Sequence, residues 1–204
     1  MPRKRNLDHY FSADPKSKLN LGLIRTHLRG QQFEFITASG VFSQRRVDLG
    51  TRLLIESMIL PEKGRVLDIG CGYGAIGIAA AIFNPELRVF MVDVNSRAVW
   101  LTRRNLQNRH VKNAEVREGH LYEPVQDLTF ACILSNPPVS AGMETVETLV
   151  IEAPRYMTDG AYFQIVVRSK TGGRKMRSIL EETFGEVEVL SRKSGYRVFI
   201  SEKQ

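Results

Sequence analysis

Gly64-Arg65-Val66-Leu67-Asp68-Ile69 is a turn running into a short buried strand, and Gly70-Cys71-Gly72-Tyr73-Gly74 follows with no spacer. Ala75-Ile76-Gly77-Ile78-Ala79-Ala80-Ala81-Ile82-Phe83 then has the composition of a helix buried on most sides. Strand, glycine-rich turn and helix in immediate succession form a loop for a nucleotide-containing cofactor. The glycines permit a tight turn and close backbone approach. The helix start offers unpaired N–H groups and the positive end of its dipole to an anionic group. About 20 residues on, Arg88-Val89-Phe90-Met91-Val92-Asp93 reads as a second strand ending in an acid, placed to accept hydrogen bonds from both hydroxyls of a ribose.

From this unit onward strands and helices alternate. Helices fit 73–83, 95–108 (capped by Asn95 or Ser96), 143–155 and 172–183. Strands fit 65–69, 88–93, 114–117, 129–134, 160–167, 185–191 and 195–201. Such alternation predicts an α/β fold with a mostly parallel sheet covered on both faces. Only Lys193-Ser194-Gly195 separates the last two strands, so they form a hairpin and one edge is antiparallel. Upstream, 48–58 reads as an amphipathic helix, with Leu49, Leu53, Leu54 and Met58 on one face. Gln32–Thr37 alternates like a strand, and Val41-Phe42-Ser43 is placed to return against it as a hairpin. Residues 1–31 read as a basic N-terminal arm with one helix around Lys18–Leu28, and 32–204 as the main domain.

Phe130-Ala131-Cys132-Ile133-Leu134 is an apolar strand that ends abruptly in Ser135-Asn136-Pro137-Pro138. Two prolines cannot continue a central ladder, and they hold the Asn amide rigidly at the strand's carboxyl end. Open α/β sheets bind their ligands at that end. The Asn136 side-chain oxygen and the Pro137 carbonyl make two acceptors. Two acceptors orient a planar –NH2 group and expose its lone pair to an electrophile.

Gly72-x-Gly74-x-x-Gly77 also satisfies the dinucleotide fingerprint. Asp68 argues against a hydride-transfer enzyme, because a phosphate-binding turn gains nothing from a nearby negative charge. A cofactor bearing an ammonium group gains from it, directly or through water. S-adenosylmethionine carries such a group, together with a carboxylate for the helix start.

The 204 residues suffice for one good-sized domain. Hydrophobic content of 43% and charged content of 25% are those of an ordinary globular protein. There is no apolar run of membrane-spanning length and no secretory signal pattern. Cys71 and Cys132 sit in core-like contexts, so neither a disulfide nor a metal site is expected, and the expected compartment is cytoplasmic. His9, His27 and His110 lack metal-like spacing and read as structural or surface residues. Net charge is +7, with +5 in residues 1–31 and +4 in residues 168–204. A slightly acidic middle with basic ends suits a polyanionic partner such as RNA. The candidate phosphate contacts are Arg3, Lys4, Arg5, Arg168, Lys170, Arg174, Lys175 and Arg177.

Taken together, these residues resemble the class I S-adenosylmethionine-dependent methyltransferases, and within them the methyltransferase small domain family. That family includes ribosomal RNA guanine-N2 methyltransferases and single-domain archaeal relatives. The resemblance rests on His9-Tyr10-Phe11-Ser12, Ser39-Gly40-Val41-Phe42-Ser43, Asp48-Leu49-Gly50-Thr51, Leu67–Gly74, Asp93, Ser135-Asn136-Pro137-Pro138 and Gly195-Tyr196-Arg197-Val198. It implies a Rossmann-like seven-stranded sheet with the last strand inserted antiparallel. It implies cofactor contacts from Asp48, Gly50 and Thr51, from Asp68, Gly70, Gly72, Tyr73 and Gly74, from Asp93 and Val94, from His120 and Leu121, and from Asn136. Asn136, Pro137 and Pro138 would form the catalytic motif.

Two positions depart from the family pattern. Gly119-His120-Leu121 stands where relatives usually carry an acid near the adenine amine; His120 either meets the adenine differently or faces solvent. Val139 stands where amine methyltransferases often carry an aromatic, so stacking on a base must come from elsewhere, Phe42 or Tyr10 being the candidates. The implied activity is S-adenosylmethionine-dependent methylation of a nucleobase in ribosomal or transfer RNA, first at guanine N2, then at adenine N6 or guanine N7, by a monomer or weak homodimer without metal. The alternatives are methylation of a protein glutamine amide and a non-catalytic RNA-binding module.

Overall fold

The computed structural model describes residues 17–137, 142–170 and 172–204. Two strands, β1 (Leu21–Leu28) and β2 (Gln31–Ala38), form a hairpin of their own. The rest of the chain runs α1 (Leu49–Ser57), β3 (Gly64–Ile69), α2 (Ala75–Phe83), β4 (Leu87–Asp93), α3 (Ser96–Asn108), β5 (Ala114–Glu118) and β6 (Phe130–Ser135). It continues with α4 (Met143–Glu152), β7 (Met157–Arg168), α5 (Gly173–Phe184), β8 (Glu188–Lys193) and β9 (Tyr196–Glu202). Strands β3 to β9 make one seven-stranded sheet in the order β5-β4-β3-β6-β7-β9-β8. The contacts among β3, β4, β5, β6 and β7 are parallel, and β9 is antiparallel to both β7 and β8. The expected fold is therefore present, with its hairpin edge.

Period-two alternation divides the core between the two faces. Val66, Val89, Met91, Cys132, Leu134 and Val198 point to the face covered by α1, α2, α3 and the hairpin. Leu67, Phe90, Ile133, Phe163, Ile165 and Phe199 point to the face covered by α4 and α5. From β3 the chain winds outward through β4 and β5, then returns to lay β6 on the other side of β3. That reversal leaves a crevice at the carboxyl ends of β3 and β6, the switch point at which open sheets bind ligands. Ser135 Oγ closes its floor by donating to the Ile69 carbonyl at 2.9 Å.

Two readings of the N-terminal region are corrected. Leu21–Leu28 is a strand and not a helix. Its buried residues, Ile24 and Leu28, are four apart, a spacing that satisfies both a helical turn and strand alternation. The two-residue turn decides between them. Arg29 (φ 46°) and Gly30 (φ 76°) both adopt positive φ, which matches the twist of a tight hairpin and sets Leu28 opposite Gln31. Val41-Phe42-Ser43 accordingly does not return against β2. It belongs to a loop pinned by Thr37 Oγ1 on the Gln44 carbonyl (2.7 Å) and Ser43 Oγ on the Arg46 carbonyl (2.6 Å). Among the described residues no helix is long and apolar enough to cross a membrane.

Candidate active site

The crevice is a cavity of about 310 Å³. Its floor is the glycine loop, with Gly70, Cys71, Gly72 and Tyr73 followed by Ala75 and Ile76 at the start of α2. One side is the end of β4 (Val92, Asp93 and Val94) and the turn after β5 (Gly119, His120 and Leu121). The other side is formed by Thr51 on α1 and Asn136-Pro137 after β6. Val41 and Phe42 close it from the loop after β2, and Thr145, Val146 and Leu149 of α4 complete the wall.

The glycine loop is stitched to the end of β4. Gly70 N and Cys71 N donate to the Val92 carbonyl at 2.9 and 3.1 Å, and Gly72 N donates to Asp93 Oδ2 at 2.7 Å. Gly72 holds φ 59°, and a side chain there would meet nothing within 4 Å, so its backbone faces open cavity. Gly77 serves packing, since a Cβ would stand 2.4 Å from the Met91 side chain. Gly74 (φ 89°) is the N-cap of α2 and sits against Ile78 and Thr102.

Asp93 takes a second backbone bond, from Asn95 N to Oδ1 at 2.9 Å. Burial pushes its carboxyl up, against three backbone N–H groups that favour its charged form. A carboxylate has about four lone-pair sites, so the three bonds leave acceptor capacity for a ligand hydroxyl. Asp68 does not line the cavity. It is fully buried beneath the loop, where Oδ2 accepts from Gly77 N at 2.8 Å and Oδ1 has no hydrogen-bond partner. Burial, reinforced by the Asp93 charge, pushes it up to about 7.

Asn136 is held by the start of α1. Its Nδ2 donates to Thr51 Oγ1 at 2.8 Å and stands 3.5 Å from Asp48 Oδ2. Asp48 is the helix N-cap, and its Oδ2 also accepts from Gly50 N at 2.8 Å and Thr51 N at 3.4 Å. Asp48 Oδ1 accepts from the hydroxyl of Tyr196 at 3.4 Å. Gly50 makes room for that aromatic ring, because a Cβ would stand 2.8 Å from it. The Asp48–Thr51 segment and the Gly195–Val198 segment, far apart in the chain, are thus two parts of one support. With its amide protons so engaged, Asn136 has its Oδ1 left as an acceptor.

His120 is exposed at the cavity edge, its backbone N 3.4 Å from Glu123 Oε2. A Cβ at Gly119 would come within 2.3 Å of the Pro124 ring, so that position leaves no space for an acidic side chain. Pro138, like Tyr10, Arg3, Lys4 and Arg5, lies outside the described residues. The candidate phosphate contacts from the end of β7 into α5 differ in their surroundings. Arg168 lies over the Tyr196 ring at 5.3 Å and donates Nε to its hydroxyl at 3.1 Å. Lys175 is paired with Glu147 of α4, and Arg177 with Glu181. Lys170 and Arg174 are exposed.

No local pattern in Thr145, Val146 or Leu149 marks them as cavity residues, because topology alone brings α4 to the crevice. Asp48 is not among the residues lining the cavity; as the N-cap of α1 it supports Asn136.

A model of the methyltransferase small domain matches residues 32–200. The uncharacterized protein YbxB of Bacillus subtilis (strain 168) is 37% identical over 198 residues, covering 96% of this chain and 98% of that protein. The ribosomal RNA small subunit methyltransferase C of Hamiltonella defensa subsp. Acyrthosiphon pisum is 34% identical over 167 residues, 80% of this chain and 48% of that protein. This chain therefore spans about half the length of that methyltransferase relative. Among solved structures, the T. thermophilus 16S rRNA N2 G1207 methyltransferase in complex with AdoMet and guanosine superposes with a TM-score of 0.81 at 27% identity, covering 93% of this chain and 52% of that one. The glycine loop, the acid ending β4 and the Asn-Pro motif after β6 thus meet in one crevice of a fold shared with the T. thermophilus structure, and the chain belongs to the methyltransferase small domain family of class I S-adenosylmethionine-dependent methyltransferases.

Proposed function

We propose that this chain methylates an exocyclic nucleobase amine in ribosomal RNA, guanine N2 being the first candidate, with S-adenosylmethionine as methyl donor. One observation carries the reading. Both protons of the Asn136 amide face α1, toward Thr51 and Asp48, so the amide has a fixed orientation and Oδ1 serves as a preorganised acceptor. With the Pro137 carbonyl as a second acceptor, it fits a planar –NH2 group.

The residues also fit the cofactor. Asp93 keeps acceptor capacity toward a ribose, the backbone at Gly72 faces open space, and the unpartnered Oδ1 of Asp68 beneath the loop suits a cationic group reached through water. When bound, the cofactor supplies the electrophilic methyl group. The chain contributes position and electrostatics. Asn136 and Pro137 bind most strongly as the attacking nitrogen gains positive charge, which places their effect in the transition state. Once the N–C bond has formed, the nitrogen is acidic and releases its proton to water, so no strong general base is needed. A paired base must first leave the helix, which favours a loop or mismatched target. The relative from T. thermophilus, solved with guanosine, supports guanine, and the net charge of +7 supports an RNA partner.

The test is transfer of labelled methyl from S-adenosylmethionine into small-subunit RNA, followed by nucleoside mass spectrometry. N2-methylguanosine is expected, and Asn136→Ala should lower turnover on the order of 10²–10³-fold with cofactor affinity unchanged. Label at guanine N7, with Asn136→Ala near wild-type rate, would overturn the two-acceptor mechanism. Label in protein instead of RNA would favour a glutamine-amide substrate.

A further inference from the structure

The cations that the amino-acid sequence marks for RNA near the C-terminus are mostly used internally. Lys175 and Arg177 have carboxylate partners, and Arg168 is packed on Tyr196. Two other pairs are placed differently. Arg192 and Lys193 end β8 at the tip of its hairpin with β9, and Arg45 and Arg46 lie on the loop between β2 and α1. All four are exposed, and among the described residues none forms an ion pair.

Strand register fixes where the tip lies. Arg168, the last residue of β7, is opposite Tyr196, and Ser169 N donates to the Gly195 carbonyl at 2.8 Å. The β8–β9 turn is therefore at the carboxyl end of the parallel strands, the end that holds the cavity. Lys193 is the cross-strand partner of Tyr196, whose hydroxyl reaches Asp48, which in turn stands beside Asn136. Arg46 precedes Asp48 by two residues, just before the start of α1. The tip is held by a two-residue turn with both φ values positive, Ser194 at 50° and Gly195 at 80°. Arg192 also faces Arg197 across the hairpin. Like charges directly opposed across strands are destabilising, and among the described residues neither arginine forms an ion pair. A charge arrangement unfavourable to the free protein, at the end of the sheet that holds the site, is suited to an anionic ligand.

We propose that Arg192 and Lys193 on the hairpin tip, with Arg45 and Arg46 on the opposing loop, form a phosphate track that carries the RNA strand across Asn136. The track rests on the RNA reading above and deepens it. The target nucleotide sits between two cation pairs, each gripping the backbone to one side. A different role would serve the hairpin pair alone: cations on an edge strand also prevent edge-to-edge association.

The test measures binding of the full chain to a fluorescently labelled small-subunit RNA stem–loop across a salt series. The variants are Arg192→Gln/Lys193→Gln, Arg45→Gln/Arg46→Gln and, as a control, Lys175→Gln/Arg177→Gln. Each phosphate contact on a single strand contributes about 0.7 to the log–log salt slope, so each of the first two variants should flatten the slope by about 1.4. The control should leave the slope near wild type, and all three should bind S-adenosylmethionine normally by calorimetry. Salt-dependent binding by the wild type with unchanged slopes in both track variants would overturn the track and leave the RNA reading intact. So would a flattened slope in the control alone, or a hairpin variant that merely self-associates in light scattering. A wild type with no affinity for RNA at low salt would overturn the RNA reading, and the track with it.

Discussion

The hydroxyl of Tyr196 stands 3.4 Å from Asp48 Oδ1 although the two residues are 148 positions apart, and through Asp48 it supports the side chain that orients the amine. Tyr196→Phe removes that contact and the acceptor for Arg168 Nε, but keeps the ring in place over Gly50. A hydrogen bond of this kind contributes about 0.5–1.5 kcal/mol, so turnover should fall about 3–10-fold. Thermal stability and cofactor affinity should stay close to wild type. If Tyr196 acts through Asn136, the same change in an Asn136→Ala background should have little further effect. Fully additive losses in rate would make the tyrosine a plain packing residue.

Asp93 has two duties, and removing it should reveal both. Asp93→Ala deletes the acceptor proposed for the ribose hydroxyls, and losing hydrogen bonds to a charged group should weaken S-adenosylmethionine binding by about 1.5–3 kcal/mol. It also releases Gly72 N and Asn95 N from the carboxylate that accepts from them, so the melting temperature should fall as well. Calorimetry and thermal unfolding on the same preparation separate the two effects. A variant that melts lower yet binds the cofactor as tightly as wild type would leave Asp93 with the structural duty alone, and tighter binding of NAD than of S-adenosylmethionine would remove the cofactor assignment.

Asp68 predicts a pH dependence of defined sign. Burial raises its carboxyl from about 3.8 to about 7. The folded state therefore favours the protonated form. That contribution is fully present below about pH 4, where the unfolded chain is protonated too, and is lost as pH rises toward 7. Asp68→Asn stays neutral and can still accept from Gly77 N, so its stability relative to wild type should increase over that interval, by at most about 4 kcal/mol. Denaturant unfolding at several pH values reads this directly. A parallel decline in both proteins would show that Asp68 is already ionised in the fold. A nearby ammonium group favours the carboxylate, so the wild type should bind S-adenosylmethionine more tightly as pH rises through 7, and Asp68→Asn should not.

The parts of the site that were legible from sequence are those in which chemistry and position coincide within a few residues. Gly70–Gly74, Asp93 and Asn136 each end a strand, and strand ends in a parallel sheet converge on one crevice whatever the details of packing. What stayed hidden depended on partners distant in the chain. Ile24 and Leu28 fit a helix as well as a strand until the Arg29-Gly30 turn is known. Nothing near Lys175 signals that Glu147 neutralises it, because the pairing requires α4 and α5 to lie side by side. Thr145, Val146 and Leu149 line the cavity only because α4 packs beside the switch point. Gly50 read as part of a binding motif, while its geometric reason, the ring of Tyr196, arrives from the last strand.

Among the described residues the N-terminal hairpin has two strands and no sheet neighbour, and such a unit is marginal on its own. Asn105 makes up for the missing strand: its amide accepts from Ile36 N at 2.7 Å and donates to the Ile36 carbonyl at 3.0 Å, as a neighbouring backbone would. The loop that follows hangs from α3, through Asn95 on the Gly40 carbonyl and Arg97 on the Ser39 carbonyl, and it brings Val41 and Phe42 to the cavity. The outer wall of the site is therefore attached to a hairpin that depends on α3 and the core for its stability. Local unfolding of the hairpin and release of that wall are one event, so a ligand held beneath Phe42 protects the amides of β1 and β2 from exchange without touching either strand.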